Sequence, residues 1–250
     1  MSIAVNVGGV WKDTTPYVKV GGVWKPVTQA YVKVSGGWKE LLGGAAPATV
    51  TYVTTIDDGN GATTYTFTNA NIGAAATDRL VVGALSWEAT ANRSLVSATI
   101  GGNAASVIVN GGGVETSAAI FALRVAAGAT ATIVATLSGA ALRAAIGIWN
   151  VNGQISDTPT AFGQSASNSS VTSHQTDINV LSGGVAIAAL GLNAPNAVTW
   201  TGATERYDAT YDANSRKSGA DYSNAGADEP HSIIAAFSAT NGGLAAASWR

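Results

Sequence analysis

The sequence predicts an all-β protein: an N-terminal β-hairpin repeat module followed by a jelly-roll-like β-sandwich. Three observations carry that expectation. One hairpin phrase occurs three times in residues 1–44. Beyond it, β-branched and aromatic runs separated by turn residues recur at roughly 8–15-residue spacing, the pattern of a sandwich. No segment has a convincing amphipathic-helix period.

The three copies are Val5-Asn6-Val7-Gly8-Gly9-Val10-Trp11-Lys12, Val18-Lys19-Val20-Gly21-Gly22-Val23-Trp24-Lys25 and Val32-Lys33-Val34-Ser35-Gly36-Gly37-Trp38-Lys39. Val-x-Val alternates as a half-buried strand does. The Gly-Gly or Ser-Gly pair supplies the positive φ of a two-residue turn. Trp-Lys opens the return strand, and the indole is expected on the face that the valines share. Tyr17 and Tyr31 precede the second and third copies, and Pro16 and Pro26 lie between copies, where a missing N–H harms no ladder. A lone hairpin is marginal in water, so the copies must stack on something. Trp11, Trp24 and Trp38 are either the core of a small domain or, with Tyr17 and Tyr31, anchors that insert into a partner; the two readings are compatible. The first assigns residues 1–44 as a three-hairpin module, the second as an attachment module.

Gly43-Gly44-Ala45-Ala46-Pro47 lacks periodicity and reads as a linker, so residues 45–250 form a separate display domain. Its runs read as strands in order. Thr49 to Ile56 turns at Asp57 to Gly61 into Thr64 to Thr68. Arg79 to Trp87 is apolar on both faces and therefore central. Val96 to Ile100, Ser106 to Val109, Ser117 to Val125 and Thr130 to Leu137 follow, then Ala144 to Val151. The pattern continues through Val171 to Val180, Gly184 to Leu192 and Ala197 to Thr201. Ser232 to Ser238 and Leu244 to Trp249 are joined by an expected hairpin turn at Thr240-Asn241-Gly242-Gly243. Abundant alanine suits two closely packed sheets.

Charge is sparse. Five of the lysines (Lys12, Lys19, Lys25, Lys33, Lys39) lie in the repeats, while the body is acidic and the whole chain is −2. That field is too weak for nucleic acid, and lysines on strand edges discourage unwanted pairing. Without cysteine there is neither a disulfide nor a thiolate metal site. No basic region followed by an apolar stretch opens the chain, and no apolar run nears the roughly 18 residues of a membrane span. The expectation is a protein made in a host cytoplasm with no signal peptide.

Tyr17 to Lys25 and Tyr31 to Lys39 resemble the Tyr-Val-Lys-Val-x-Gly-x-Trp-Lys repeats of tailed-bacteriophage virion proteins. Ile72 to Val82, Ser97 to Ala105 and Leu137 to Trp149 are similar to a β-sandwich module of such proteins. The resemblance covers most of residues 5 to 152. It implies a particle component, whether tail or head fibre, spike or capsid decoration protein, and brings no catalytic residues with it.

Catalytic patterns are missing from the sequence. His174 and His231 belong to no spaced cluster, and no nucleophile elbow, phosphate loop or zinc spacing occurs. A glycosidase needs two carboxyl groups about 5–9.5 Å apart, and Glu88, Glu115, Glu205 and Glu229 are single in sequence. The chain is therefore expected to be no enzyme and to need no cofactor or metal. Calcium on Asp57, Asp58, Asp208 or Asp212 would match no known loop spacing. Arg206, Tyr207, Tyr211 and Asp212 combine aromatic planes with charges, the chemistry of a carbohydrate platform. The other reading of that stretch is a long hairpin whose tyrosines pack on neighbouring loops.

These readings converge on a structural virion protein held to other virion proteins by its repeats, with a host-surface glycan-binding adhesin as the alternative and a polysaccharide depolymerase behind it. A homo-oligomer, a trimer in particular, is expected because multivalent display strengthens weak binding.

Overall fold

The computed structural model describes residues 3–7, 10–14, 17–26, 30–34, 37–42, 46–112, 114–227 and 229–250. The chain divides into two compact units, Met1–Ala46 and Pro47–Arg250. Every regular element among the described residues is a strand.

The first unit holds β1 (Ile3–Val7), β2 (Val10–Thr14), β3 (Tyr17–Val20), β4 (Val23–Pro26), β5 (Ala30–Val34) and β6 (Gly37–Leu42). They form three separate two-stranded antiparallel sheets, β1-β2, β3-β4 and β5-β6. In the second hairpin Val20 pairs with Val23 around Gly21 and Gly22, at φ of 59° and 86°. Positive φ at both central residues is what the tight turn demands. The register pairs Asn6 with Trp11, Lys19 with Trp24 and Lys33 with Trp38. Directly paired positions share a face, so each tryptophan position goes with Asn6, Lys19 or Lys33 and not with the flanking valines. The expected valine–indole face concerns side chains outside the described residues. The side chains of Trp11, Trp24, Trp38, Tyr17 and Tyr31 lie outside the described residues.

The second unit begins with β7 (Thr49–Asp58), β8 (Ala62–Asn71), β9 (Leu80–Glu88), β10 (Leu95–Ile100), β11 (Asn103–Asn110), β12 (Thr116–Arg124), β13 (Thr130–Ala141) and β14 (Arg143–Asn152). Their order is β7-β14-β9-β12-β11-β10-β13-β8, antiparallel throughout, and β7 and β8 approach to nearly close a barrel. Period-2 sequence dictates what fills it. In β13, Ile133, Ala135 and Leu137 are buried, Val134 and Thr136 between them are half-buried, and Thr130 and Thr132 are exposed. In β9 both faces are buried, as expected: Val81, Leu85 and Trp87 enter the barrel, while Leu80, Val82 and Ala84 point the other way.

That second face is covered by a further sheet of β15 (Ala161–Val180), β16 (Val185–Leu192), β17 (Thr199–Thr201), β18 (Thr204–Thr210), β19 (Arg216–Ser223) and β20 (Glu229–Trp249). The order is β15-β20-β16-β19-β18, with β17 pairing β20. Val185, Ile187, Ala189, Ala245, Ala247 and Trp249 pack on Leu80, Val82, Ile120, Trp149 and Val151. The second unit is thus all-β, an eight-stranded near-closed antiparallel barrel followed by a six-stranded antiparallel sheet.

Thr240-Asn241-Gly242-Gly243 is not a hairpin turn, because β20 runs through it. A Cβ at Gly242 would fall 2.4 Å from the Gly191 carbonyl, and one at Gly243 would fall 2.2 Å from Ser117 Oγ. These glycines let two backbones approach; they do not reverse the chain. Opposite them, the β15 register shifts between Ser167 and Ser173, and the long β15–β20 ribbon folds back so that Gly163 meets Thr176 and Ile178.

Candidate functional site

The carbohydrate platform expected on β18 and its loop does not form. The bulge between Glu205 and Tyr207 turns the Tyr207 ring toward the barrel. There it lies on Gly219 and Gly147, whose added Cβ atoms would come within 2.5 and 2.6 Å of it. Its centroid is 5.9 Å from both Tyr52 and Trp149. Burial pushes the Tyr207 phenol far up, and its hydroxyl has no hydrogen-bond partner among the described residues. Tyr211 shares a hydrogen bond of 2.7 Å with Ser86 Oγ of β9, and the Lys217 ammonium stands 4.8 Å from its ring centre. Burial raises this phenol too. Both tyrosines therefore belong to the seam between barrel and sheet.

Arg206 and Asp212 do other work. Arg206 donates twice to Asp221, at 2.7 Å each, and Asp221 also accepts the Trp149 indole N–H at 2.9 Å. Asp212 caps its own loop by accepting the Asn214 N–H at 2.8 Å, and it pairs with Arg143. The Asn214 N–H, first among several donors, holds the Asp212 carboxyl below its ordinary range.

The carboxylates considered for catalysis or calcium are largely committed elsewhere. Glu88 is buried with Arg143 at 2.9 Å and Ser215 Oγ at 2.6 Å. Asp57 pairs with buried Lys217 and Asp208 with Arg216, while Glu229 accepts the Tyr222 hydroxyl at 2.8 Å. No group of three or more His, Cys, Asp or Glu capable of holding a metal ion occurs among the described residues. His174 is buried beside Ser165 and Phe237, and His231 stacks on Tyr222 with centroids 3.7 Å apart.

Two concavities stand out among the described residues. One, of about 430 Å³, runs between β11, β12 and the start of β15 beneath the exposed ring of Phe162. Its floor is apolar, and its two charged groups saturate each other, Arg124 donating at 2.7 and 2.6 Å to the two oxygens of Asp157.

The other is the polar mouth of the barrel, about 470 Å³, bounded by Thr51 and Val53 of β7, the loop 73–76, Asp78, and Asn150 and Asn152 of β14. Inward positions of β14 run Ala144, Ile146, Ile148, so the same alternation carries Asn150 and Asn152 to the barrel's end. Asn150 is only 5% exposed, yet its Oδ1 and that of Asn152 lack hydrogen-bond partners among the described residues. The loop above them is fixed by Arg79, whose fully buried guanidinium donates to six carbonyls. Nη1 reaches Ile72, Gly73 and Ala74 at 3.3, 2.7 and 2.9 Å. Nε reaches Val125 at 2.7 Å, and Nη2 reaches Ala127 and Gly128 at 3.0 and 2.8 Å. Asp78 Oδ2 accepts the Gly153 N–H at 2.7 Å.

The sequence reading does not single out Asn150, Asn152, Asp78 or Arg79; the one signal it carries there is two asparagines that continue the inward alternation of an isoleucine-rich strand.

No protein-family model, no curated protein and no solved structure matches the chain.

Proposed function

We propose that the chain is a structural component of a tailed-bacteriophage particle, a fibre, spike or decoration protein, joined to other virion proteins by its hairpin repeats and displaying its second unit outward. The observation that carries this reading is the separation of the first unit into three two-stranded sheets, none paired with another among the described residues. Isolated hairpins of four to six residues per strand are marginal in water, so strands held this way suit a partner that completes them. The sequence resemblance of the repeats supports the same assignment. Within the body, β7 pairs with β14, β8 with β13, β9 with β12 and β10 with β11. That nested pairing supports a jelly-roll reading, and jelly rolls serve in capsid and lectin domains alike. In the particle the protein works as a homo-oligomer, a trimer by preference.

The test is a chain starting at Ala48. It should fold, give β-type circular dichroism, and fail to enter particles that take up the full chain. Incorporation at normal copy number would remove the assignment. A second reading, a host-surface glycan-binding adhesin, is favoured by the polar mouth of the barrel.

A further inference from the structure

We infer that the barrel mouth is a binding site for a neutral, hydroxyl-rich small ligand, a saccharide unit, held by Asn150, Asn152, Asp78 and Thr51. The inference deepens the adhesin reading by locating its site, and it is independent of particle attachment. Two side-chain amides line one cavity, and each has a buried oxygen with no partner among the described residues. Leaving such a group unsatisfied is costly, and both oxygens, closed to solvent in the free protein, gain a partner when their amides turn toward a ligand in the cavity they line. A cavity of about 470 Å³ is far larger than the roughly 30 Å³ of one water and falls in the range of small-ligand pockets.

The lining selects the ligand class. A cation would find a single carboxylate, already accepting the Gly153 N–H, and would sit near the Arg79 guanidinium that binds the Gly73 carbonyl. An anion would meet Asp78. An apolar ligand would strand both amides. A hydroxyl both donates and accepts, and so answers an amide from either end. The cavity is also held in shape before any ligand enters. Arg79 pins the Ile72, Gly73 and Ala74 carbonyls, and Gly73 at φ 76° passes so close that a Cβ there would fall 2.2 Å from Asn150 Nδ2. Pre-organisation of this kind lowers the ordering cost of binding.

The experiment is a titration of the ¹⁵N-labelled full chain with the methyl glycosides of glucose, galactose, mannose, rhamnose and N-acetylglucosamine, each to about 50 mM, since single sugar rings bind weakly. The readout is the side-chain amide signals of Asn150 and Asn152, assigned with Asn150→Asp and Asn152→Asp. At least one glycoside should move both amides saturably, and Asn152→Ala should weaken that binding by about tenfold or more. Thr51→Val serves in its place if Asn152→Ala does not fold. The inference is overturned if none of the five moves either amide. It is equally overturned if calcium chloride moves them and no glycoside does, or if the variant binds unchanged. Loss of particle incorporation on truncation would leave these outcomes untouched.

Discussion

The indole N–H of Trp149, on barrel strand β14, donates to Oδ2 of Asp221, on sheet strand β19, across 2.9 Å. Trp149 is fully buried and Asp221 is 2% exposed, so the bond crosses the seam between barrel and sheet out of contact with water. Arg206 compensates the buried charge with two further bonds to the same carboxylate. Arg206 is thereby the counter-ion of an inter-layer tie.

Asp221→Ala should destabilise the protein by about 2–4 kcal/mol in urea denaturation, because it leaves a buried indole N–H and a guanidinium without their acceptor. Arg206→Ala should cost less than Asp221→Ala, since Trp149 retains its bond, though the bare carboxylate keeps the effect above that of an ordinary surface change. A loss below about 0.5 kcal/mol for Asp221→Ala would show that water replaces the tie.

Tyr207 offers opposite outcomes from two substitutions. Its hydroxyl has no partner among the described residues, so Tyr207→Phe should be neutral or slightly stabilising. Its ring fills the space left by Gly147 and Gly219, so Tyr207→Ala should cost about 3 kcal/mol through the cavity it opens. Thermal denaturation of both variants checks this. A Tyr207→Ala variant with unchanged melting would place the ring outside the core.

Arg79→Lys retains the charge but cannot reach six carbonyls on two loops. It should lose about 3 kcal/mol or more, and Arg79→Met should leave the same acceptors bare. Burial draws the Arg79 pKa down from its ordinary value, yet the many carbonyl acceptors suit the charged form. Amide hydrogen exchange in residues 72–76 and 125–128 should quicken in both variants. Unchanged exchange would mean the loops hold themselves.

His174 sets a pH dependence. Burial pulls its pKa below the ordinary value of 6.5, so the folded ring stays neutral where the unfolded one takes a proton. The unfolded state then binds more protons, and stability falls as pH drops below about 6.5, levelling off once the folded ring also titrates. Asp157 and Asp212, whose carboxyls are held below their ordinary range, add a loss only at more acid pH, near and below about 4. Melting temperature between about pH 7 and 5 should therefore decline in the wild type and decline less in His174→Gln. Parallel curves would remove His174 as the cause.

What the sequence determined by itself was local. Two-residue turns at Gly21-Gly22 and Gly101-Gly102 and the alternation in β13 depend only on backbone permissiveness and period-2 burial. So does the double-sided burial of β9, written into a run apolar at nearly every position. The tertiary structure decided what depends on partners distant in the chain. Gly242-Gly243 reads as a turn until Gly191 and Ser117 are found pressed against it. Tyr207, Tyr211 and Asp212 read as parts of a sugar platform until the tyrosines pack in the seam between barrel and sheet and Asp212 pairs with Arg143. Asn150 and Asn152 draw no reading from the sequence, and only the approach of β7 and of the Arg79-pinned loop makes them line a cavity. Periodicity records which face of a strand is buried, whereas the identity of the atoms on the other side is fixed only when the layers pack.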